Sequence, residues 1–193
     1  LQTLVSAGEA CSPALAEKWS RVCRFINAYG PTESTVCATW IDVDPKSIEP
    51  ITIGKPIDNF AVYVVDAAFN PLPAGVAGEL LIGGVGLARE YMNRPDLTAE
   101  RFIPDPFSGR EGARLYRTGD LVRWLPHGEI EFLGRIDHQV KIRGFRIELG
   151  EIESLIATHD SVRDVLVMAR EDEPGEKRIV AYLRTDDKAL DHS

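Results

Sequence analysis

The stretch that decides the fold is Leu1–Glu33, LQTLVSAGEACSPALAEKWSRVCRFINAYGPTE. Its apolar start, Leu1–Val5, predicts a strand, and Ser12-Pro13 predicts a helix N-cap followed by proline at the first helical position. The helix would run to Trp19, and the apolar run Val22–Asn27 predicts a second buried strand. This order is typical of a parallel α/β unit. Because the first residue already lies inside such a unit, we expect the chain to lack an upstream half.

Residues 36–134 have a different pattern, in which short alternating stretches are separated by glycine and proline. Within them, Pro126-His127-Gly128 predicts the connection of a hairpin and Pro95–Phe102 predicts one short helix. The stretches predict a small antiparallel sheet or distorted barrel. Its strands would be Val36–Val43, Ala61–Asp66, Glu79–Ile82, Arg114–Thr118, Leu121–Leu125 and Glu129–Leu133.

Past Gly134 the pattern changes again, to a helix over Leu149–Thr158 and strands over Arg163–Ala169 and Arg178–Leu183. The whole sequence therefore predicts a mixed α/β and α+β fold. It would comprise the end of a parallel α/β subdomain, a distorted antiparallel β-barrel subdomain, and the start of a small α+β C-terminal domain.

The composition indicates a folded protein, since 44% of the 193 residues are apolar. Its 22 basic and 30 acidic side chains give a net charge of −8, which argues against nucleic acid or an anionic membrane as a partner. No apolar run approaches the ~20 residues that span a bilayer. Cys11, Cys23 and Cys37 lack the spacing of a zinc site, and we expect reduced thiols in a cytoplasmic protein.

The segment Asn27–Glu33 directly follows a predicted buried strand, where ligands bind in open α/β sheets. Tyr29 has a ring that can stack on a flat base. Thr32 offers a hydroxyl and an N–H group to a phosphate, and Glu33 offers a carboxylate to Mg²⁺. By itself, such a turn is equally compatible with an ordinary loop.

Two further segments carry candidate chemistry. In Tyr116–Leu121 a strand would end at Gly119 and deliver Asp120, whose carboxylate can accept hydrogen bonds from both hydroxyls of a ribose. A turn aspartate that binds nearby backbone N–H groups is the alternative. Gly134–Glu153 begins with four cations in thirteen residues, which indicates either a solvated face or a tight loop around Gly144.

The order of these segments resembles the adenylation domains of non-ribosomal peptide synthetases, which belong to the adenylate-forming ligases. The resemblance extends from Leu4 to about Leu183. Its motifs are Asn27–Glu33, Gly78–Arg89, Tyr116–Leu121 and Gly134–Glu153. It implies that an amino acid and ATP with Mg²⁺ form an aminoacyl-adenylate and pyrophosphate. The acyl group would then pass to the phosphopantetheine thiol of a peptidyl carrier protein.

The resemblance also implies roles for individual residues. Tyr29 would stack against adenine, Thr32 would bind the α-phosphate, and Glu33 would bind Mg²⁺; Thr32 and Glu33 are thus the candidate catalytic residues. Asp120 would hold the ribose hydroxyls, with Arg135 as a second ribose or phosphate contact. The ATP/AMP site would consist of Gly8, Glu9, Ala10, Tyr29, Thr32, Asp120 and Arg135.

Residues 1–136 would correspond to the C-terminal part of the large adenylation core and residues 137–193 to the first part of the small mobile subdomain. Asp137 matches the hinge between them, and the Arg143-Gly144-Phe145 loop would border the pantetheine path. The amino-acid pocket would be lined by Val5, Ala7, Ala28, Val36 and Cys37. This apolar set favours a large hydrophobic or aromatic amino acid, unless the five are ordinary core residues.

The sequence departs from the family in several places. It contains neither the phosphate loop that ends in Pro-Lys-Gly, nor the aspartate that anchors the substrate amine, nor the Asn-Gly-Lys segment with the catalytic lysine. Glu90 stands where the family usually has glycine. We expect the chain alone to be inactive, because losing one such donor costs ~10²–10³ in rate. The alternatives are a ligase for fatty or aryl acids, and a catalytically dead remnant that acts as an interaction module.

Overall fold

The computed structural model describes residues 1–46, 50–137, 139–142, 145–173 and 177–185. In these residues the strands are β1 (Thr3–Ser6), β2 (Arg24–Tyr29), β3 (Thr39–Asp42), β4 (Thr52–Pro56), β5 (Phe60–Val65), β6 (Ala77–Gly84), β7 (Phe102–Pro104), β8 (Arg114–Trp124), β9 (Ile130–Arg135), β10 (Val140–Ile142), β11 (Phe145–Ile147), β12 (Val162–Glu171) and β13 (Lys177–Thr185). The helices are α1 (Pro13–Ser20), α2 (Pro95–Arg101) and α3 (Leu149–Ile156), and a 3₁₀ turn covers Thr32–Ser34. The chain divides into two compact units, Leu1–Ile136 and Asp137–Ser193.

The first unit is built on a nine-stranded sheet with the order β1-β2-β3-β4-β9-β8-β6-β5, in which β7 also pairs with β8. β1 and β2 are parallel, whereas the other pairings in this sheet are antiparallel. The predicted parallel unit and the predicted antiparallel strands are both confirmed. Pairing of β3 with β4 joins them in one sheet.

The core of the first unit lies on both sides of strand β6. Leu80 and Ile82 pack into one cluster of buried residues, and Leu81 packs with Val65 and Leu115 in a second cluster. Successive side chains of a strand point to opposite faces, so both faces of β6 are covered. Burying one such side chain contributes about 1.5–3 kcal/mol, so β6 stabilises the first unit through both of its faces.

The helix predictions are confirmed with small changes in bounds. The Ser12 side chain accepts a hydrogen bond from the Leu15 N–H at 3.2 Å and caps α1, and Pro13 is the first helical residue. Helix α2 ends at Arg101, because Phe102 already begins β7. Within the described residues, none of the helices has the length and apolar character needed to cross a membrane.

The predicted strand Val36–Val43 is wrong at its start, since β3 begins only at Thr39. Thr35 and Val36 have φ values of 55° and 71°, in the left-handed region that β-branched residues rarely adopt. The Cys37 N–H donates to the Thr35 carbonyl at 2.8 Å and closes a tight turn there. Local hydrogen bonding therefore overrides the strand propensity of these residues.

The predicted strands Arg114–Thr118 and Leu121–Leu125 are one strand, β8, so the prediction that a strand ends at Gly119 is wrong. Three residues, Thr118–Asp120, lie opposite the single residue Leu80 of β6 and form a bulge. Gly119 has φ 70°, which glycine adopts without a steric penalty. Strands β4, β7, β10 and β11 were not predicted.

The second unit contains α3 and two antiparallel hairpins, β10–β11 and β12–β13. This confirms the predicted helix followed by two strands. The Val167 N–H of β12 donates to the Glu153 carboxylate of α3 at 2.7 Å, which ties the helix to its hairpin. Arg143 and Gly144, from the predicted pantetheine loop, lie outside the described residues.

Candidate functional site

The carboxylate of Asp120 sits in the β8 bulge with two side-chain partners. Its Oδ1 accepts a hydrogen bond from Arg135 Nη1 at 2.8 Å, and its Oδ2 accepts one from the Tyr29 hydroxyl. Asp120 and Arg135 are register partners across β8 and β9, so strand pairing itself brings them together. Their side chains are only 8% and 13% exposed, so the electrostatic attraction between the two charges is stronger than it would be in a fully solvated pair.

The bulge fixes the backbone that carries Asp120. The Thr118 hydroxyl donates to the Leu80 carbonyl at 2.7 Å and accepts the Asp120 N–H at 2.9 Å. The Gly119 carbonyl accepts the Ile136 N–H at 2.9 Å, which holds the end of β9 beside the bulge. The buried hydroxyl of Thr118, which both donates and accepts a hydrogen bond, therefore fixes the backbone from which the Asp120 carboxylate extends.

Tyr29 links the end of β2 to this carboxylate. Burial of its hydroxyl, and next the negative charge of Asp120, raise the pKa of Tyr29 well above its usual range. The hydroxyl thus remains a proton donor. Phe132 lies beside the ring with the centroids 6.5 Å apart. The prediction that Tyr29 stacks on a base had not anticipated that its hydroxyl binds Asp120.

The 3₁₀ turn that carries Thr32 and Glu33 follows Gly30-Pro31. A Cβ atom on Gly30 would stand 2.7 Å from the Val36 carbonyl oxygen, so only glycine lets the chain fold back this closely. Thr32 is exposed, whereas Glu33 is 7% exposed. Its Oε1 accepts a hydrogen bond from the Tyr91 hydroxyl at 2.6 Å.

The buried carboxylates of Glu33 and Asp120 are connected through two segments of the chain, Tyr29–Glu33 and Tyr116–Asp120. Glu33 follows Tyr29 closely in the chain, and the Tyr91 oxygen that binds Glu33 lies 3.4 Å from the hydroxyl of Tyr116, which precedes Asp120 in β8. Tyr91 was not among the predicted site residues, since the Gly78–Arg89 motif ends before it. The structure therefore brings Tyr29, Asp120 and Arg135 into contact, and Thr32 and Glu33 lie in the turn that follows Tyr29.

Other predicted nucleotide contacts, Gly8, Glu9 and Ala10, form an exposed segment between β1 and α1. Because β1 and β2 are parallel, with Ser6 opposite Asn27, this segment leaves the sheet at the same edge as Tyr29. That edge is where ligands bind in open α/β sheets.

The five predicted pocket residues differ in exposure. Val5 and Val36 are 55% and 72% exposed, and Ala7 is exposed as well, so these three are not core residues within the described part of the chain. Ala28 is buried in β2. Cys37 is half-buried, and this burial raises the pKa of its thiol.

Asp137, the predicted hinge, is the first residue of the second unit. Its Oδ1 accepts the Gln139 N–H at 3.2 Å, in a local turn. Phe145, from the predicted pantetheine loop, begins β11 and is 71% exposed.

The buried carboxylate of Glu33 is the candidate protein ligand for Mg²⁺. Among the described residues, no group of three or more His, Cys, Asp and Glu side chains could hold a metal ion. Glu33 supplies one buried carboxylate. Mg²⁺ in proteins is commonly bound through one or two carboxylates together with substrate phosphates and water, so this set fits an ion that arrives with a polyphosphate.

Comparison with known proteins gives consistent matches. The profile of the AMP-binding enzyme family matches residues 1–92. Bacitracin synthase 3 of Bacillus licheniformis is 57% identical over 183 residues, which is 95% of this chain and 3% of that protein. Tyrocidine synthase 1 of Brevibacillus parabrevis is 53% identical over 184 residues, which is 94% of this chain and 17% of that protein. The chain thus spans a small part of the relatives it matches.

Solved structures give the same result. An artificially fused adenylation–PCP di-domain, NpsA-ThdA from Klebsiella oxytoca, matches with a TM-score of 0.82 and 32% identity, over 99% of this chain and 36% of that one. The Vibrio cholerae adenylation domain AlmE, in complex with glycyl-adenosine-5′-phosphate, matches with a TM-score of 0.83 and 32% identity, over 95% of this chain and 36% of that one.

Proposed function

This chain belongs to the AMP-binding enzymes, as part of an adenylation domain of the non-ribosomal peptide synthetase type, and we propose that the protein that carries it activates an amino acid with ATP. The observation that carries the proposal is the buried Asp120 carboxylate, held by Arg135 and Tyr29 beside the Thr32–Glu33 turn. A fixed acceptor next to an aromatic ring, followed in the chain by the exposed residue Thr32, suits a nucleoside phosphate.

In the proposed complex, Asp120 accepts hydrogen bonds from the ribose hydroxyls, since each carboxylate oxygen has two lone pairs and accepts more than one donor. The Tyr29 ring would lie against adenine beside the Gly8–Ala10 segment. Arg135 would keep the carboxylate oriented and contact the ribose or a phosphate. The exposed hydroxyl of Thr32 would bind the α-phosphate.

The proposed reaction joins two anions. A carboxylate oxygen of the amino acid bonds to the α-phosphorus, the bond from that phosphorus to the bridging oxygen breaks, and pyrophosphate leaves with the electron pair. Positioning and compensation of charge therefore supply most of the catalysis. When bound to the ATP substrate, Mg²⁺ offsets phosphate charge. Glu33 would orient that complex, and Thr32 would hold the α-phosphate in line.

For the amino-acid substrate, we propose a large hydrophobic or aromatic side chain. The support is chemical: Val5, Ala7, Ala28, Val36 and Cys37 offer no charge to a buried ionic side chain. Ala7 and Val36 are exposed and so remain accessible to a ligand.

For the second half-reaction, we propose a peptidyl carrier protein as partner, because the matched NpsA-ThdA structure joins an adenylation domain to a PCP. Its phosphopantetheine thiol would bond to the acyl carbon and AMP would leave. Asp137 would act as the hinge between the adenylation core (residues 1–136) and the small mobile subdomain (residues 137–193), with the Arg143–Phe145 loop beside the pantetheine path. A cytoplasmic location is supported by the three free cysteines.

The test is amino-acid-dependent exchange of pyrophosphate into ATP by the full-length protein that carries this sequence. We expect exchange with phenylalanine or tyrosine to exceed exchange with aspartate or lysine. Preference for a charged amino acid would overturn the specificity, and exchange that depends on a fatty or aryl acid would overturn the assigned substrate class.

A further inference from the structure

We propose that Tyr91 is a positioning residue that holds the Glu33 carboxylate in the orientation in which it binds the Mg²⁺ of the ATP substrate. The hydrogen bond from the Tyr91 hydroxyl to Glu33 Oε1 is 2.6 Å long and joins residues 58 positions apart in the chain. The inference rests on the proposed function, because the metal-binding role of Glu33 comes from there.

Contacts of its own hold the Tyr91 side chain in place. Its ring meets Phe102 edge-on, with the centroids 5.6 Å apart, and its hydroxyl lies 3.4 Å from that of Tyr116. Its backbone N–H donates to the Thr98 hydroxyl at 3.0 Å. Both ends of the residue are therefore anchored, and its hydroxyl reaches Glu33 from a fixed position.

The same segment also holds the backbone of the turn. The Ala88 N–H donates to the Glu33 carbonyl at 2.8 Å, and the Thr35 hydroxyl donates to the Gly86 carbonyl at 2.7 Å. Glu33 therefore accepts two hydrogen bonds from residues 86–91: its main-chain carbonyl accepts one from Ala88, and its carboxylate accepts one from Tyr91. This gives a role to the end of the Gly78–Arg89 motif and to Tyr91 just after it, for which the sequence predicted none.

A hydrogen bond from a fixed donor restricts the rotation of a buried carboxylate, and so sets the direction in which its oxygens can bind a metal ion. Groups that hydrogen-bond to a metal ligand orient it, and their loss typically weakens metal affinity 10- to 100-fold. Tyr91→Phe removes the donor and keeps the ring on Phe102. We therefore expect Tyr91→Phe to weaken metal binding while the packing of the ring is kept.

The experiment uses the full-length protein and α,β-methylene-ATP, which cannot transfer its adenylyl group because a methylene group replaces the oxygen between the α- and β-phosphorus atoms. Mn²⁺ replaces Mg²⁺, and electron paramagnetic resonance measures Mn²⁺ binding to the protein–nucleotide complex. We expect Tyr91→Phe to weaken Mn²⁺ binding about tenfold. AMP binding in the absence of any metal should stay within about twofold of the wild type. Tyr63→Phe is the matched control, since that ring packs on Phe107 in a different cluster.

Glu33→Gln separates the two proposals. If Glu33→Gln weakens Mn²⁺ binding and Tyr91→Phe does not, the positioning role is overturned and the proposed function stands. If Glu33→Gln leaves Mn²⁺ binding unchanged, the metal-binding role of Glu33 fails, and the role of Tyr91 with it. If Tyr91→Phe weakens AMP binding as much as Mn²⁺ binding, Tyr91 supports the fold and does not position the ligand. Added to Glu33→Gln, Tyr91→Phe should weaken Mn²⁺ binding no further, because Tyr91 acts on the metal only through the Glu33 carboxylate.

Discussion

Asp120 and Arg135 stand opposite each other in strands β8 and β9 and form an ion pair of 2.8 Å that is almost fully shielded from water. The bulge at Thr118–Asp120 and the hydroxyl of Tyr29 fix the same carboxylate from two other directions. The acceptor proposed for the ribose is therefore oriented before any nucleotide arrives, which avoids reorganisation on binding.

Asp120→Asn keeps the shape of the side chain and removes its charge. Because hydrogen bonds to a charged group contribute about 1.5–3 kcal/mol, we expect the KM for ATP to rise about 10- to 100-fold. Loss of the partner of Arg135 should also lower the free energy of unfolding by about 3 kcal/mol. Steady-state kinetics and urea unfolding of the full-length protein measure the two effects.

The control is Asp42→Asn, which breaks a pair with Arg24 that is about half exposed on both sides. Water already screens that pair, so neither the KM for ATP nor the unfolding midpoint should change appreciably. Equal effects from the two variants would contradict a special role for Asp120.

Thr118→Val tests the bulge, since the variant has nearly the same shape and lacks the hydroxyl. The Leu80 carbonyl and the Asp120 N–H would each lose a buried partner, and we expect a loss of about 1–3 kcal/mol in unfolding free energy. The KM for ATP should rise with it, because Asp120 shifts. Thr118→Ser restores the hydroxyl and should recover most of the ATP affinity; failure to do so would mean that packing of the methyl group matters more.

Gly30→Ala tests the close approach that shapes the Thr32–Glu33 turn. The new Cβ would stand 2.7 Å from the Val36 carbonyl oxygen, a backbone atom that cannot rotate away. We expect a loss of about 1–3 kcal/mol in unfolding free energy and a marked fall in pyrophosphate exchange. Gly150→Ala, in helix α3 with open space around it, should be neutral or stabilising by up to about 1 kcal/mol.

The raised pKa of Tyr29 predicts a loss of stability at high pH. Below the usual tyrosine pKa of 10.0, the hydroxyl is protonated in both the folded and the unfolded chain, so its contribution is complete. Above it, only the unfolded chain releases the proton, and the free energy of unfolding falls as pH rises toward the folded pKa. Urea unfolding at pH 8 to 11 measures the slope, and Tyr29→Phe should make it shallower. An unchanged slope in that variant would contradict the assigned burial of Tyr29.

The sequence predicted the parallel unit, the cap of α1, the β8–β9 hairpin and the order of later elements, because capping and turn residues act over a few positions. The predicted start of β3 was wrong, because two β-branched residues there adopt positive φ in a turn that local hydrogen bonds stabilise. The prediction also divided β8 at Gly119. No local pattern distinguishes a bulge from a strand end, since the difference depends on Leu80 in another strand.

The candidate site was predictable as a set of residues but not as a geometry. Tyr29, Glu33 and Asp120 were recognisable from their motifs. The bond from Tyr29 to Asp120 spans 91 positions and the bond from Tyr91 to Glu33 spans 58, so both depend on how the sheet assembles. Tyr91 had no signal beyond a position just after a glycine-rich motif.

Whether the protein carrying this chain makes an aminoacyl-adenylate is tested by trapping that product. The full-length protein is mixed with ATP, Mg²⁺, an amino-acid mixture and hydroxylamine, and mass spectrometry identifies the hydroxamate that forms. We expect the hydroxamate of a large hydrophobic or aromatic amino acid, formed only with ATP and strongly reduced in Asp120→Asn. No amino-acid hydroxamate from the folded protein, or that of an added fatty or aryl acid instead, would contradict this expectation.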